Sequence, residues 1–262
     1  MGQMKKTPVC LNFRKCRRLS SATFSYQIVS IYQNTFSIPF FHEHMKKILL
    51  LGASGRTGKE VLQLVLSKGY HVHALVRDSR KIELGHPHLR VFEGDSRIPR
   101  DLHIAIDSCI GVISCLNISR TSDFPWAPLR TPEDFLSMTM KNLIATCKEN
   151  EVKRLIFTSA WGVGDSRQSI PSWFAWIIDN SNLSPAYLEH ERQEAMVKNS
   201  GLDWTIVRPV VMLNNCKEKA IKAYFKPESK PRLTISRKNV AKYIVDIFDQ
   251  QDLIHKVPVI SH

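Results

Sequence analysis

A short apolar run, Ile48-Leu49-Leu50-Leu51, is followed at once by Gly52-Ala53-Ser54-Gly55-Arg56-Thr57-Gly58. A helix-period stretch comes next, then a second apolar run ending Ala74-Leu75-Val76-Arg77. The first run has the length of a buried parallel strand. Gly52 permits a sharp turn, Gly55 lets backbone approach a pyrophosphate with no Cβ in the way, and Gly58 lets a helix pack close against the strand. The helix predicted from near Thr57 aims its N-terminal N–H groups and dipole at the same point. Strand, glycine turn, helix and strand in this order predict a dinucleotide site, with Ser54, Arg56 and Thr57 beside the phosphates.

The end of the second strand selects between dinucleotides. An NAD site usually places Asp or Glu there, about 20 residues past the glycines, to accept hydrogen bonds from the ribose hydroxyls. This chain has Arg77. A carboxylate repels a 2′-phosphate, whereas a guanidinium grips it through a charge-assisted pair, so Arg77 predicts NADP (NADPH) as cofactor. Arg56, Arg80 and Lys81 add positive charge nearby, and Asp78 is the one acidic neighbour, placed to cap the following turn.

With 262 residues, 43% of them apolar and 23% charged, the chain has the means to bury one substantial α/β core. It has no run of 18 apolar residues, so no membrane-spanning helix is expected. The net charge of +13 suggests nucleic acid at first sight. Six Lys or Arg (Lys5, Lys6, Arg14, Lys15, Arg17, Arg18) against Glu43 place five of those thirteen charges in Met1 to His44. The remainder is moderately basic, as suits an anionic cofactor, and no nucleic-acid-binding signature is present. The six cysteines form no Cys-x-x-Cys pair, so no metal is expected, and those at 109, 115 and 147 read as buried thiols in a reducing compartment. Met1 to His44 is basic, contains serines and is nearly free of acids. It reads as a transit peptide to an organelle matrix, a disordered arm, or a mis-assigned start before Met45. Without a transit peptide the expected location is cytoplasmic.

From Met45 to His262, strands and helices alternate, which predicts a doubly wound parallel sheet, the Rossmann fold, as a single domain with a small C-terminal substrate region. Strands are expected near 47–51, 71–76, 89–92, 110–115, 153–158, 203–207 and 256–260, and helices near 57–68, 99–106, 132–150, 184–199 and 237–249. Gly69 and Gly201 fall where left-handed caps are wanted, and Thr131-Pro132-Glu133-Asp134 reads as a helix start. Ligands of such sheets lie outside the carboxyl ends of the strands, so the following loops carry the candidate contacts. They hold Gly94-Asp95-Ser96, Leu116-Asn117, Thr158-Ser159-Ala160-Trp161 and Arg208-Pro209. Asp95 is placed either to hydrogen-bond an adenine amino group or to cap the next helix. Ser96, Leu116, Thr158, Arg208 and Pro209 complete the expected cofactor contacts.

These segments, together with Ser200-Gly201-Leu202-Asp203-Trp204-Thr205-Ile206-Val207-Arg208-Pro209, resemble the atypical short-chain dehydrogenases of the NmrA-like group, closest to the flavin reductase or biliverdin reductase B type. The resemblance implies NADPH binding. The larger superfamily carries Tyr-x-x-x-Lys, whose tyrosine protonates the substrate carbonyl, and extended members have a Glu farther along the same helix. Aligning that Glu with Glu194 puts His190 at the lysine position and Ala186 at the tyrosine position, so the catalytic tyrosine is absent. In the flavin reductase type a serine after the fifth strand and a histidine on this helix face the nicotinamide, and Ser159 and His190 match them. Ser159 is thus expected to hydrogen-bond the nicotinamide or the substrate, and His190 to orient substrate or relay a proton near neutral pH. Trp161, Trp173, Phe174 and Trp176 form an aromatic-rich segment that reads as a wall for a flat substrate, while Trp173 to Ile178 reads equally as a core-packing turn of helix or a partner surface.

Two functions follow. The first is an NADPH-dependent reductase passing hydride to a flat conjugated acceptor such as a flavin or quinone, for which a missing tyrosine is tolerable. The second is a non-catalytic NADP(H)-binding regulator that binds a protein partner. An epimerase or dehydratase would need the tyrosine. The expected partners are a small-molecule substrate and at most a second copy, as monomer or homodimer, with no nucleic acid and no membrane.

Overall fold

The first strand, β1 (Lys47–Leu51), shows why both faces of the sheet are covered. Ile48 and Leu50 enter one apolar cluster, and Leu49 and Leu51 enter another on the opposite face. Each such side chain removed from water contributes roughly 1.5–3 kcal/mol before the entropy of ordering is subtracted. The computed structural model describes residues 46–214, 219–226 and 229–262. The readings of Met1 to His44 lie outside the described residues.

After β1 the chain forms α1 (Arg56–Ser67), β2 (His71–Val76), β3 (Leu89–Glu93), α2 (Pro99–Ile106), β4 (Gly111–Ser114), α3 (Phe135–Glu149) and β5 (Arg154–Thr158). It continues through α4 (Ser172–Asp179), α5 (Ser184–Lys198), β6 (Asp203–Pro209), β7 (Val211–Leu213), β8 (Lys222–Tyr224), β9 (Thr234–Ser236), α6 (Arg237–Asp246) and β10 (Val259–Ser261). The main sheet runs β3-β2-β1-β4-β5-β6-β10-β8. Every pairing in it is parallel except β10 with β8. This is the doubly wound arrangement of the Rossmann fold, as the alternation of elements predicts. Helices α1 and α6 cover one face through Val61, Val65, Val240 and Ile244. The other face is covered from α2, α3 and α5 by Leu102, Met140, Leu143 and Val197. Because β1 is followed outward by β2 and β3, and β4 returns to its other side, a crevice opens at the carboxyl ends of β1 and β4.

Gly69 and Gly201 take the expected left-handed conformation, at φ +83° and +75°. Other expectations are corrected. Helix α3 starts at Phe135 rather than 132, because the Thr131 hydroxyl accepts the Ser119 N–H at 2.9 Å and is spent on the preceding loop. A carboxylate from another helix supplies a cap instead: Glu189 Oε2, on α5, accepts the Ser137 N–H at 2.7 Å. Helix α4 falls where one reading of the aromatic segment places a turn of helix, whereas the three-residue strands β7, β8 and β9 carry no sequence signal. Among the described cysteines, Cys109 and Cys147 are buried free thiols and Cys115 is half-buried; burial pushes all three up to about 12.

Replacing Glu189 with Ala should uncap α3 and cost about 1–2 kcal/mol. Thermal unfolding of Glu189→Ala is expected to show a midpoint lower by about 2–8 °C, with the secondary structure of the folded state unchanged by circular dichroism.

Candidate active site

The turn after β1 has the geometry a pyrophosphate needs. Gly52 sits at φ +80°, and its carbonyl accepts the Gly55 N–H at 2.9 Å. A Cβ on Gly58 would collide with that carbonyl, so only glycine lets α1 start this close to the strand. Helix α1 has Gly55 at its N-cap, no side-chain cap and no acid in its first turn. Its leading N–H groups therefore face the crevice with neither a side-chain acceptor nor a negative charge to compete with a phosphate. The residues present fit a dinucleotide.

The crevice is a cleft of about 380 Å³, and Gly52, Ser54, Gly55, Arg56 and Thr57 line one part of its wall. Arg77 and Lys81 line the end beyond β2. The Arg77 guanidinium lies 5.7 Å above the Phe135 ring and forms no ion pair among the described residues. Asp78 does not oppose it: its carboxylate is taken by Arg80 Nε at 2.9 Å and caps the turn Ser79–Lys81. Arg80 is thereby spent as well. Arg56 makes a bidentate pair with Asp123, from the long connection after β4.

At the other end, past β4 and β5, Leu116, Asn117, Thr158 and Ser159 line the cleft, and Ser96 lines it beyond β3. Ser159 Oγ donates to Glu194 Oε1 at 2.7 Å. Its proton is committed, so it faces a ligand as an acceptor. Glu194 in turn takes Arg208 Nε at 2.9 Å and Nη2 at 2.6 Å, and Arg208 also holds Asp165. Burial pushes the Glu194 carboxyl up, but the hydrogen bond and charge of Arg208, with Ser159 and Lys198, outweigh it and hold the carboxyl below its ordinary value.

Several expected contacts are therefore elsewhere. Arg208 and Pro209 are buried behind the cleft wall, the first ion-paired to Glu194 and the second giving its carbonyl to the Trp161 N–H at 3.0 Å. Both Asp95 oxygens are taken by Arg97, and Asp95 caps the turn that leads into α2 instead of lining the cleft. His190 is buried and does not line the cleft. Desolvation lowers it to about 4 against the opposing pull of Glu194 and Glu189, so it is neutral at neutral pH and not poised to relay a proton there. It reaches the cleft only through Asn117, whose Oδ1 lies 3.2 Å from His190 Nε2. The sequence of that loop singles out Leu116 as a cofactor contact; what marks Asn117 is the histidine on α5. Trp161 is buried against Phe174, while Trp173 and Trp176 are 57% and 59% exposed, and none of the four lines the cleft. Ala186 packs with Ile118 and Phe135, and the Tyr187 hydroxyl is turned to the Trp161 carbonyl at 3.2 Å.

Residues 52–251 match the family model described as NAD(P)H-binding. The chain belongs to this NAD(P)H-binding family. Its fold is the Rossmann fold of NAD(P)-binding proteins. An uncharacterized chloroplastic protein of Arabidopsis thaliana is 27% identical over 183 residues, a match that covers 65% of this chain and 60% of that relative's length. A short-chain dehydrogenase/reductase of Veillonella parvula, solved in complex with NADP, superposes with a TM-score of 0.70 at 18% identity, covering 83% of this chain and 94% of that one. ChuY, an anaerobilin reductase of Escherichia coli O157:H7, does so at 0.67 and 21% identity, covering 82% and 96%. Among the described residues of the NAD(P)H-binding protein, no helix is long and apolar enough to cross a membrane.

Stability should depend on pH through His190 and Glu194. Both hold folded values below their ordinary ones, so their contributions are whole above 6.5 and 4.5 respectively and are lost as pH falls below those values. For His190, lowered from 6.5 to about 4, the loss is on the order of 3 kcal/mol. Urea unfolding from pH 7 to pH 4 should show it, and His190→Gln should flatten the upper part of that profile. Gly58→Ala should abolish NADPH binding in a fluorescence titration.

Proposed function

We propose that this protein is an NADPH-dependent reductase that passes hydride to a flat, conjugated acceptor such as a flavin or quinone. The observation that carries the reading is the chemistry of the two ends of the cleft. At one end Arg77 and Lys81 form no ion pair among the described residues, a setting suited to a 2′-phosphate. At the other end Asn117, Thr158 and Ser159 line the wall, and none of them is a group that gains or loses a proton near neutrality. The bound cofactor would supply the hydride, and the protein's part is to hold ring and acceptor together. With Ala186 buried in the core and Tyr187 turned away, neither residue presents a proton donor to a simple ketone in the cleft. A flavin or quinone takes its proton from water, so the cleft suits such acceptors. The NADP held by the Veillonella neighbour and the reductase activity named for ChuY support the same direction.

Exposed Trp173 and Trp176, outside the cleft, favour the second reading of a cofactor-sensing protein with a partner. The two separate in one experiment: NADPH oxidation by the full chain with FMN, riboflavin and a simple quinone, beside titrations of NADPH and NADH. Turnover is expected with at least one acceptor, and Arg77→Ala should weaken NADPH by about tenfold or more while leaving NADH unchanged. Tight NADPH binding without turnover would favour the sensor. Absence of binding would overturn both.

A further inference from the structure

The side chain of Asn117 is held by one end only. Its Oδ1 accepts the Ile118 N–H at 2.8 Å and sits 3.2 Å from His190 Nε2. The other histidine nitrogen, Nδ1, receives the Gln193 amide at 2.7 Å, which fixes the proton on Nε2 and makes it the donor to Asn117. His190 is 2% exposed, so this orientation is locked in the interior. With its oxygen satisfied twice, Asn117 has its NH2 group left over. That group has no partner among the described residues, and Asn117 is an exposed residue of the cleft wall near Ser159.

We propose that the Asn117 NH2 is the hydrogen-bond donor to the acceptor, and that His190 acts through it as a positioning residue. The proposal rests on the reductase reading. Two residues of α5 abut the loop after β4: Ala186 packs in one cluster with Ile118, and His190 bonds Asn117. Ser159 cannot be the donor while its proton is given to Glu194, so the cleft offers Ser159 as acceptor and Asn117 as donor.

The chemistry balances without an acid. Bound NADPH would supply the hydride and be oxidised in doing so. The acceptor gains two electrons and one hydrogen, and carries negative charge on a carbonyl oxygen or the nitrogen conjugated to it until water supplies a proton. An amide N–H aimed at that atom stabilises the charge and keeps its own proton. Because its direction is set beforehand, it needs no reorganisation when the charge appears.

The test compares wild type with Asn117→Asp, Asn117→Ala, His190→Leu and His190→Gln in the full chain. Thermal midpoints, NADPH titrations and the quenching of FMN fluorescence by the NADP-loaded protein are recorded beside NADPH oxidation with FMN and a quinone. Asn117→Asp keeps the acceptor that Ile118 and His190 use but puts an oxygen where the NH2 was. It should lower kcat at least about tenfold and weaken FMN quenching, with NADPH affinity unchanged. His190→Leu should lower kcat in the same way, His190→Gln should restore much of it by donating from its own amide, and His190→Leu should add nothing on top of Asn117→Ala. Wild-type turnover with Asn117→Asp unchanged would overturn this proposal alone. A loss of NADPH affinity in Asn117→Asp would also overturn it, by assigning the donor to the cofactor. A wild type that neither turns over nor quenches FMN would overturn it together with the reductase reading.

Discussion

The bidentate ion pair between Glu194 and Arg208 is the contact around which the cleft past β4 and β5 is organised. It is buried on both sides, joins α5 to β6, and reaches Asp165 in the loop after β5 and Ser159 at the head of that loop. A buried pair of this kind is expensive to desolvate, and removing one partner alone strands the other charge. Glu194 meets the requirement for full satisfaction: its two oxygens accept from Arg208, Ser159 and Lys198. The same pair determines what Ser159 can do, because a hydroxyl that gives its proton to a carboxylate presents lone pairs to whatever lies in the cleft.

A parallel arrangement fixes the neighbouring loop. Glu189 caps α3 and His190 orients Asn117, so adjacent residues of α5 reach two segments that flank the long connection after β4. Helix α5 is poorly described by a single apolar stripe, since Glu189, His190, Gln193 and Glu194 are all buried. Its inward face is a polar wall in which each group has a partner, which favours one arrangement over near alternatives.

The fold was legible where local pattern and tertiary role agree. β1 reads as buried because both of its faces are apolar, and the glycine turn reads as a phosphate cradle because its backbone leaves no room for side chains. Arg77 was legible for the same local reason, since its position is fixed by the strand it ends. What escaped depended on contacts that only the folded chain makes. Asp95 reads equally as a ligand contact and as a cap until Arg97 is seen to hold both its oxygens, and Arg208 reads as a ligand contact until Glu194 is seen to occupy it. His190 looks like a proton shuttle until its burial is known. Thr131 looks like a cap until the Ser119 N–H is found on its hydroxyl, and Asn117 gains its meaning only from a histidine 73 residues away. Helix α4 and the three-residue strands lack the length over which periodicity can be read.

The strand order separates two tasks in space. The glycine turn and Arg77 belong to β1, β2 and the tight connections around them, while Asn117 and Ser159 stand at the ends of β4 and β5, where the connections to α3 and α5 are long. Rewriting those long connections changes what is offered to a second ligand and leaves the phosphate cradle as it is. A chain built this way has room to exchange one second ligand for another through changes in its loops, with the machinery for holding the nucleotide left intact.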